Sequence, residues 1–168
     1  MCEKTLGLNE KQTIEIYAAA KKAKVFMMEA MWSRMLPTYK KVKEMLCKGE
    51  IGTVRFAQSS FGFPIMVHDR IKEKAMGGGS LLDLGVYSVM AVLLAFNDEE
   101  PLEVSASGTV AETGVDETVV ITLKYSDGRV GVATCCARAQ ERVVDNTGTR
   151  TNVSLNIYYS ITSFITKH

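Results

Sequence analysis

The sequence predicts an α+β fold, an open, mainly antiparallel sheet backed by helices, with a helix–strand unit leading into it. Three observations carry that prediction. Apolar residues recur at helical spacing in three stretches before residue 97 and switch to a period of two from Leu102 onward. A three-glycine loop, Gly77-Gly78-Gly79, stands directly before the most apolar of the helical stretches. The chain is 168 residues long, 46% hydrophobic and 23% charged, enough for one core-forming domain.

The first helix is expected after Asn9, a good N-cap with Gln12 three residues on. Ile14, Tyr17, Ala18, Ala20 and Ala23 supply its apolar positions, and Lys21, Lys22 and Lys24 suit a helix C-terminus. Val25-Phe26-Met27-Met28 reads as a short buried strand, half of a parallel βαβ unit whose preceding strand is not in the chain. Pro37 can start the next helix, with Tyr39, Val42, Met45 and Leu46 at core spacing and Gly49 to end it. A strand over 53–61 follows, then a loop containing His68, Asp69 and Arg70. The glycine loop introduces a helix over about 80–96, largely buried. Beyond it, 104–110, 118–125 and 129–137 read as three strands, the last two joined by a Ser126-Asp127-Gly128 hairpin turn. From about Glu141 the pattern degrades. Residues 146–152 are turn-like and 155–165 are β-prone without a clear register.

Composition excludes several classes of partner. Twenty basic against nineteen acidic residues leave a net charge of +1, so no bulk field favours nucleic acid or an anionic membrane. The cysteines Cys2, Cys47, Cys135 and Cys136 form no C-x-x-C, and His68 and His168 lie far apart, which argues against a metal site. The polar start lacks a signal-peptide pattern, and the longest unbroken apolar run, 89–96, is too short to span a membrane. A cytoplasmic protein with free cysteines is the expectation, leaving the Asn152-Val153-Ser154 sequon unused.

The glycine loop is where chemistry is expected. Three glycines without Cβ atoms let the backbone turn sharply or let another group approach closely. Ser80 then reads as an N-cap, with Asp83 completing a capping-box-like start. Asp83 and Tyr87 are four apart, so on a helix they share a face and could meet one substrate. Gly85 between them implies a close approach to the helix. Each residue also has a structural reading: Asp83 as a cap only, Tyr87 as a half-buried core tyrosine.

Cys2-Glu3-Lys4, then Met28 to Arg34, then Gly77 to Tyr87, and the segment Glu112-Thr-Gly-Val-Asp-Glu-Thr118, occur in an order and spacing that resembles the glucose–fructose oxidoreductase/inositol dehydrogenase family. The likeness is greatest to its dimeric dihydrodiol dehydrogenase branch, NADP-dependent D-xylose dehydrogenases included. It covers about residues 2–138. By this resemblance, residues 1–34 are the end of a Rossmann domain, 35–140 an incomplete C-terminal α/β oxidoreductase domain, and 141–168 a divergent tail. It implies an NADP-dependent dehydrogenase of trans-dihydrodiols or aldopyranoses in truncated form, inactive alone, because no G-x-G-x-x-G phosphate loop occurs in the chain. It also implies a homodimer through the open sheet face; the alternative is a non-catalytic fragment that self-associates there. Tyr87 would be the acid/base, Lys4 would lower its pKa and orient the substrate oxygen, and Asp83 would position the diol or sugar. Glu3, Lys4, Trp32 and Arg34 would lie at the cofactor. For Lys4 the structural reading is a solvated terminal lysine, and for Trp32 and Arg34 it is core packing with a surface cation. Thr5 stands where the family carries proline.

Overall fold

The computed structural model describes residues 1–148. Its centre is a five-stranded sheet in the order β2-β3-β4-β1-β5, built from β1 (Val54–Gly62), β2 (Glu103–Val110), β3 (Asp116–Lys124), β4 (Val130–Cys136) and β5 (Glu141–Gly148). β1 and β4 run parallel; every other pair is antiparallel. The mainly antiparallel sheet is thus observed, with one parallel pairing inside it. β5 forms where the sequence pattern fades, and its antiparallel pairing with β1 gives it its register. The expectations for 149–168 lie outside the described residues.

One sheet face is built small where the helix lies. The pairing register aligns Leu123, Gly131 and Ala57 in one row, Ile121, Ala133 and Ser59 in the next, and Val119, Cys135 and Phe61 in the third. On these rows sits α4 (Val86–Ala95), entered through a wide π-type turn, Leu81–Gly85. A Cβ at Gly131 would come within 2.4 Å of Val92 Cγ1, and one at Gly85 within 3.0 Å of Cys135 Sγ. The close approach expected at Gly85 is therefore that of β4. Lys74–Ala95 is long and apolar enough by length and composition to cross a membrane, which the count of unbroken apolar residues did not reveal. Most of it is buried against this sheet.

Among the described residues the helix layer stops short of β2, every residue of which is exposed. α2 (Pro37–Cys47) packs Tyr39 and Val42 against Met90, Ala91 and Leu94 on the outer side of α4. α3 (Asp69–Lys72) is a single turn between β1 and the glycine loop.

The N-terminal stretch departs from expectation in one respect. α1 (Glu10–Ala23) forms with Asn9 as its cap, Gln12 N donating to Asn9 Oδ1 at 3.0 Å. Val25–Met28 is not a buried strand, since Val25 and Phe26 are exposed. Among the described residues, a single parallel bridge, Cys2 to Glu29, is all that the βαβ arrangement retains, and four apolar residues alone do not make a ladder.

Candidate active site

The Cys2–Glu29 bridge fixes Lys4. Cys2 N donates to Met28 O at 2.9 Å, Ala30 N to Cys2 O at 2.7 Å, and Leu6 N to Glu29 Oε1 at 2.9 Å. The Lys4 side chain, 14% exposed, is thereby carried to the start of the α4 helical run. Its Nζ donates to the Asp83 carbonyl at 2.6 Å and to Asp83 Oδ1 at 3.2 Å. It lies 5.1 Å from the centroid of the Tyr87 ring. The π-type turn matters here, because widening the helix at Leu81–Gly85 changes the direction of the carbonyls inside it, and Lys4 binds one of them.

Tyr87 is held on two sides by rings. Trp32 meets it at 5.9 Å between centroids and Phe61 at 5.7 Å, both edge-on, and Trp32 Nε1 donates to the Tyr87 hydroxyl at 3.0 Å. Burial pushes the Tyr87 phenol above its ordinary range and the Asp83 and Glu3 carboxylates add to the rise, against the hydrogen bond from Trp32. The lowering that the family resemblance implies is therefore not the balance of this arrangement. Asp83 shows the opposite sense. Burial would raise it, yet hydrogen bonds and charge from Arg70 and Lys4 hold the carboxyl below its ordinary value.

The structure brings Lys4, Asp83, Tyr87 and Trp32 together. Glu3 is exposed and acts on Tyr87 through its charge. Arg34 goes elsewhere: it pairs with Asp98, just past the far end of α4, at 2.5 Å, and Lys43 shares that carboxylate. Asp83 does not cap its helix, and Ser80 makes no capping hydrogen bond. Asp116, from the start of β3, takes that part, accepting from Leu81 N at 2.7 Å. Gly79, at φ +116°, makes room for it, since a Cβ there would sit 2.3 Å from Asp116 Oδ1. Sequence reasoning missed Arg70, Phe61 and Asp116 as members of this cluster. The motif Gly77-Gly-Gly-Ser80 was the available signal for a close approach, without naming the partner.

Among the described residues, no group of three or more His, Cys, Asp or Glu side chains could hold a metal ion. What the cluster offers is a hydroxyl fixed by Trp32, an ammonium group over the ring that carries it and a carboxylate held ionised. That is equipment for moving a proton to or from an oxygen.

Residues 39–158 match the GFO/IDH/MocA C-terminal domain. The trans-1,2-dihydrobenzene-1,2-diol dehydrogenase of Xenopus laevis is 47% identical over 132 residues, covering 79% of this chain and 40% of that protein. Aldose-aldose oxidoreductase from Caulobacter crescentus, solved with glycerol, superposes with a TM-score of 0.87 at 24% identity, over 96% of this chain and 50% of that one. KijD10, a 3-ketoreductase from Actinomadura kijaniata solved with NADP, superposes with a TM-score of 0.76 at 22% identity, over 97% of this chain and 56% of that one. The chain thus spans about two fifths of the length of the named dehydrogenase relatives. On the match of its sheet domain, the chain belongs to the GFO/IDH/MocA family, through that family's C-terminal domain.

Proposed function

We propose that this chain supplies the substrate side of an NADP-dependent oxidoreductase acting on the CH–OH group of a trans-dihydrodiol or an aldopyranose such as D-xylose. One observation carries the reading: Lys4, Asp83 and Tyr87 converge from the two ends of a 79-residue separation, with the Tyr87 hydroxyl fixed by Trp32. A solvated terminal lysine and a merely packed tyrosine do not require that convergence.

Each residue has a part. Tyr87 gives a proton to the substrate oxygen on reduction and takes it on oxidation. Lys4 places positive charge beside that oxygen, and Asp83 fixes Lys4 and accepts from a second substrate hydroxyl. Trp32, 55% exposed, presents an aromatic surface next to the Tyr87 hydroxyl, which fits the flat nicotinamide end of a dinucleotide. No G-x-G-x-x-G loop of the kind that grips a dinucleotide pyrophosphate occurs among these 168 residues. The bound nicotinamide supplies the hydride acceptor or donor. Arg34 serves this proposal at a distance, tying the Trp32–Met35 turn to the end of α4 through Asp98.

Burial and the neighbouring carboxylates favour the neutral phenol of Tyr87, the form that carries the proton to be given on reduction. Oxidation needs the phenolate and should rise with pH toward the phenol's range. The test joins this chain to the nucleotide-binding half of the Xenopus laevis relative and follows NADPH with D-xylose and trans-dihydrobenzenediol. Turnover is expected, and Tyr87→Phe should lower it by about 10²–10⁴-fold. A joined protein that binds NADPH and turns over neither substrate would sink the reading.

A second reading rests on β2. Val104 and Val110, with Leu102 just before them, are exposed along a strand that no helix among the described residues covers. This supports self-association through the sheet face, with or without catalysis. Sedimentation of the purified chain distinguishes a monodisperse dimer, which that reading requires, from a monomer.

A further inference from the structure

Arg70 is the charged residue of this cluster to which neither the motifs nor the proposed reaction assigns a part. It stands on α3, and α3 is held by the glycine loop. Gly78 N donates to Glu73 O at 3.0 Å and Gly79 N to Ile71 O at 2.9 Å. A Cβ at Gly78 would lie 2.4 Å from Ile71 O, so this contact requires glycine. The glycines therefore seat a one-turn helix against the start of the α4 run.

Seated there, Arg70 reaches forward thirteen residues to Asp83. Its Nη1 donates to Oδ1 at 2.7 Å and its Nη2 approaches Oδ2 at 3.4 Å. Oδ1 is also the atom that Lys4 binds. One carboxylate, 19% exposed, thus faces two cations, Lys4 at 14% and Arg70 at 57% exposure. With Arg70 present the three groups keep one net positive charge; without it Lys4 and Asp83 cancel. Glu3 is the further charged group acting on Tyr87 from the N-terminal segment, and Phe61 and Trp32 bring no charge.

We propose that Arg70 is a positioning residue: by sharing the Asp83 carboxylate it fixes that group and leaves the Lys4 ammonium uncancelled beside Tyr87. The proposal deepens the oxidoreductase reading and rests on it for its catalytic consequence. Its electrostatic part stands on the structure alone. A guanidinium suits the task because its planar fork engages both oxygens; a lysine supplies the same charge through a single point of contact.

The first measurement uses the full 168-residue chain and needs no turnover: carboxyl-carbon NMR titration of Asp83. In Arg70→Met the Asp83 midpoint should move up by about one pH unit. Arg70→Lys should recover most of that shift. Arg70→Gln, polar but uncharged, repeats the test should the methionine variant not fold. An Asp83 midpoint that stays put in the folded uncharged variant overturns the proposal. So does a lysine variant no different from the uncharged one.

The second measurement uses the chain joined to its nucleotide-binding half. There the rise of oxidation with pH should shift upward in Arg70→Met and return toward wild type in Arg70→Lys, with kcat changing more than KM. A loss of activity without any shift of the pH profile assigns Arg70 a merely structural part. Absence of turnover in the wild-type joined protein strikes the oxidoreductase reading instead, and leaves the NMR result to decide Arg70's electrostatic part.

Discussion

α1 and α4 hold their shape by opposite means. α1 has fourteen residues and buries none of them; α4 has ten and buries seven. α1 is defined at its ends, by the Asn9 cap, by Gln12 Oε1 accepting from Leu8 N, and by Lys24 turning into the left-handed region. α4 makes no side-chain cap of its own and rests on packing against β1 and β4. Helix propensity and capping thus account for the first, and burial of apolar surface for the second. The candidate site lies where the two regimes meet, with Lys4 arriving from the capped segment and Tyr87 from the packed one.

The strongest way to break this comparison is to delete the same kind of atoms in both helices. Leu94 is 5% exposed and Ile14 is 59% exposed. Leu94→Ala should cost about 2–5 kcal/mol, while Ile14→Ala should stay within about 0.5 kcal/mol. Urea denaturation midpoints of the two variants check this. Equal costs would mean that α1 is packed in solution against something that this chain or a second copy provides.

A smaller effect separates the two kinds of cap. Asp116→Ala removes the acceptor for Leu81 N and should cost about 0.5–2 kcal/mol, although Asp116 is 35 residues distant in sequence. Asn9→Ala should cost α1 a similar amount locally, read by helical circular dichroism, yet leave the unfolding midpoint of the sheet nearly unmoved. If Asn9→Ala shifted that midpoint as much as Asp116→Ala, the two helices would be one cooperative unit.

The N-terminal segment and the sheet domain also differed in how far sequence could see. The caps of α1, the start of α2 at Pro37 and the period-two strands depend on neighbours within a few residues, so their signals are local. Asp83 and Tyr87 were legible as a spaced pair, and Lys4 only through family resemblance. What could not be read is what long-range pairing decides. The parallel match of β1 with β4, the strand β5, the Asp116 cap and the Trp32–Tyr87 bond each join residues tens of positions apart. Val25–Met28 failed for the converse reason: among the described residues its strand propensity finds no ladder, and the parallel bridge falls just after it, at Glu29.

Acid should weaken the junction between the two regions once it protonates Asp83. Asp83 has a folded pKa below its unfolded one, so its contribution is present above the unfolded value and is lost as pH falls through the lowered folded value. The direction is therefore destabilisation on acidification below the ordinary carboxylate range. Asp83→Asn should flatten that part of the pH–stability curve, measured by thermal unfolding across acidic pH. An unchanged slope would place the acid sensitivity in other carboxylates.

The smallest effect is expected at the far end of α4. Arg34 and Lys43 share Asp98, and all three side chains are about a third exposed or more, so solvent screens them. Arg34→Ala should therefore change global stability by less than about 1 kcal/mol. Its effect should be geometric, because Arg34 belongs to the same short turn as Trp32, and Trp32 holds the Tyr87 hydroxyl. Trp32 is the sole tryptophan, so its fluorescence reports that turn directly. A shift in its emission at nearly constant unfolding midpoint is the expected result. A large stability loss with unchanged emission would make Arg34 a structural tie between the capped segment and α4, and would leave Trp32 positioned by its own contacts with Tyr87.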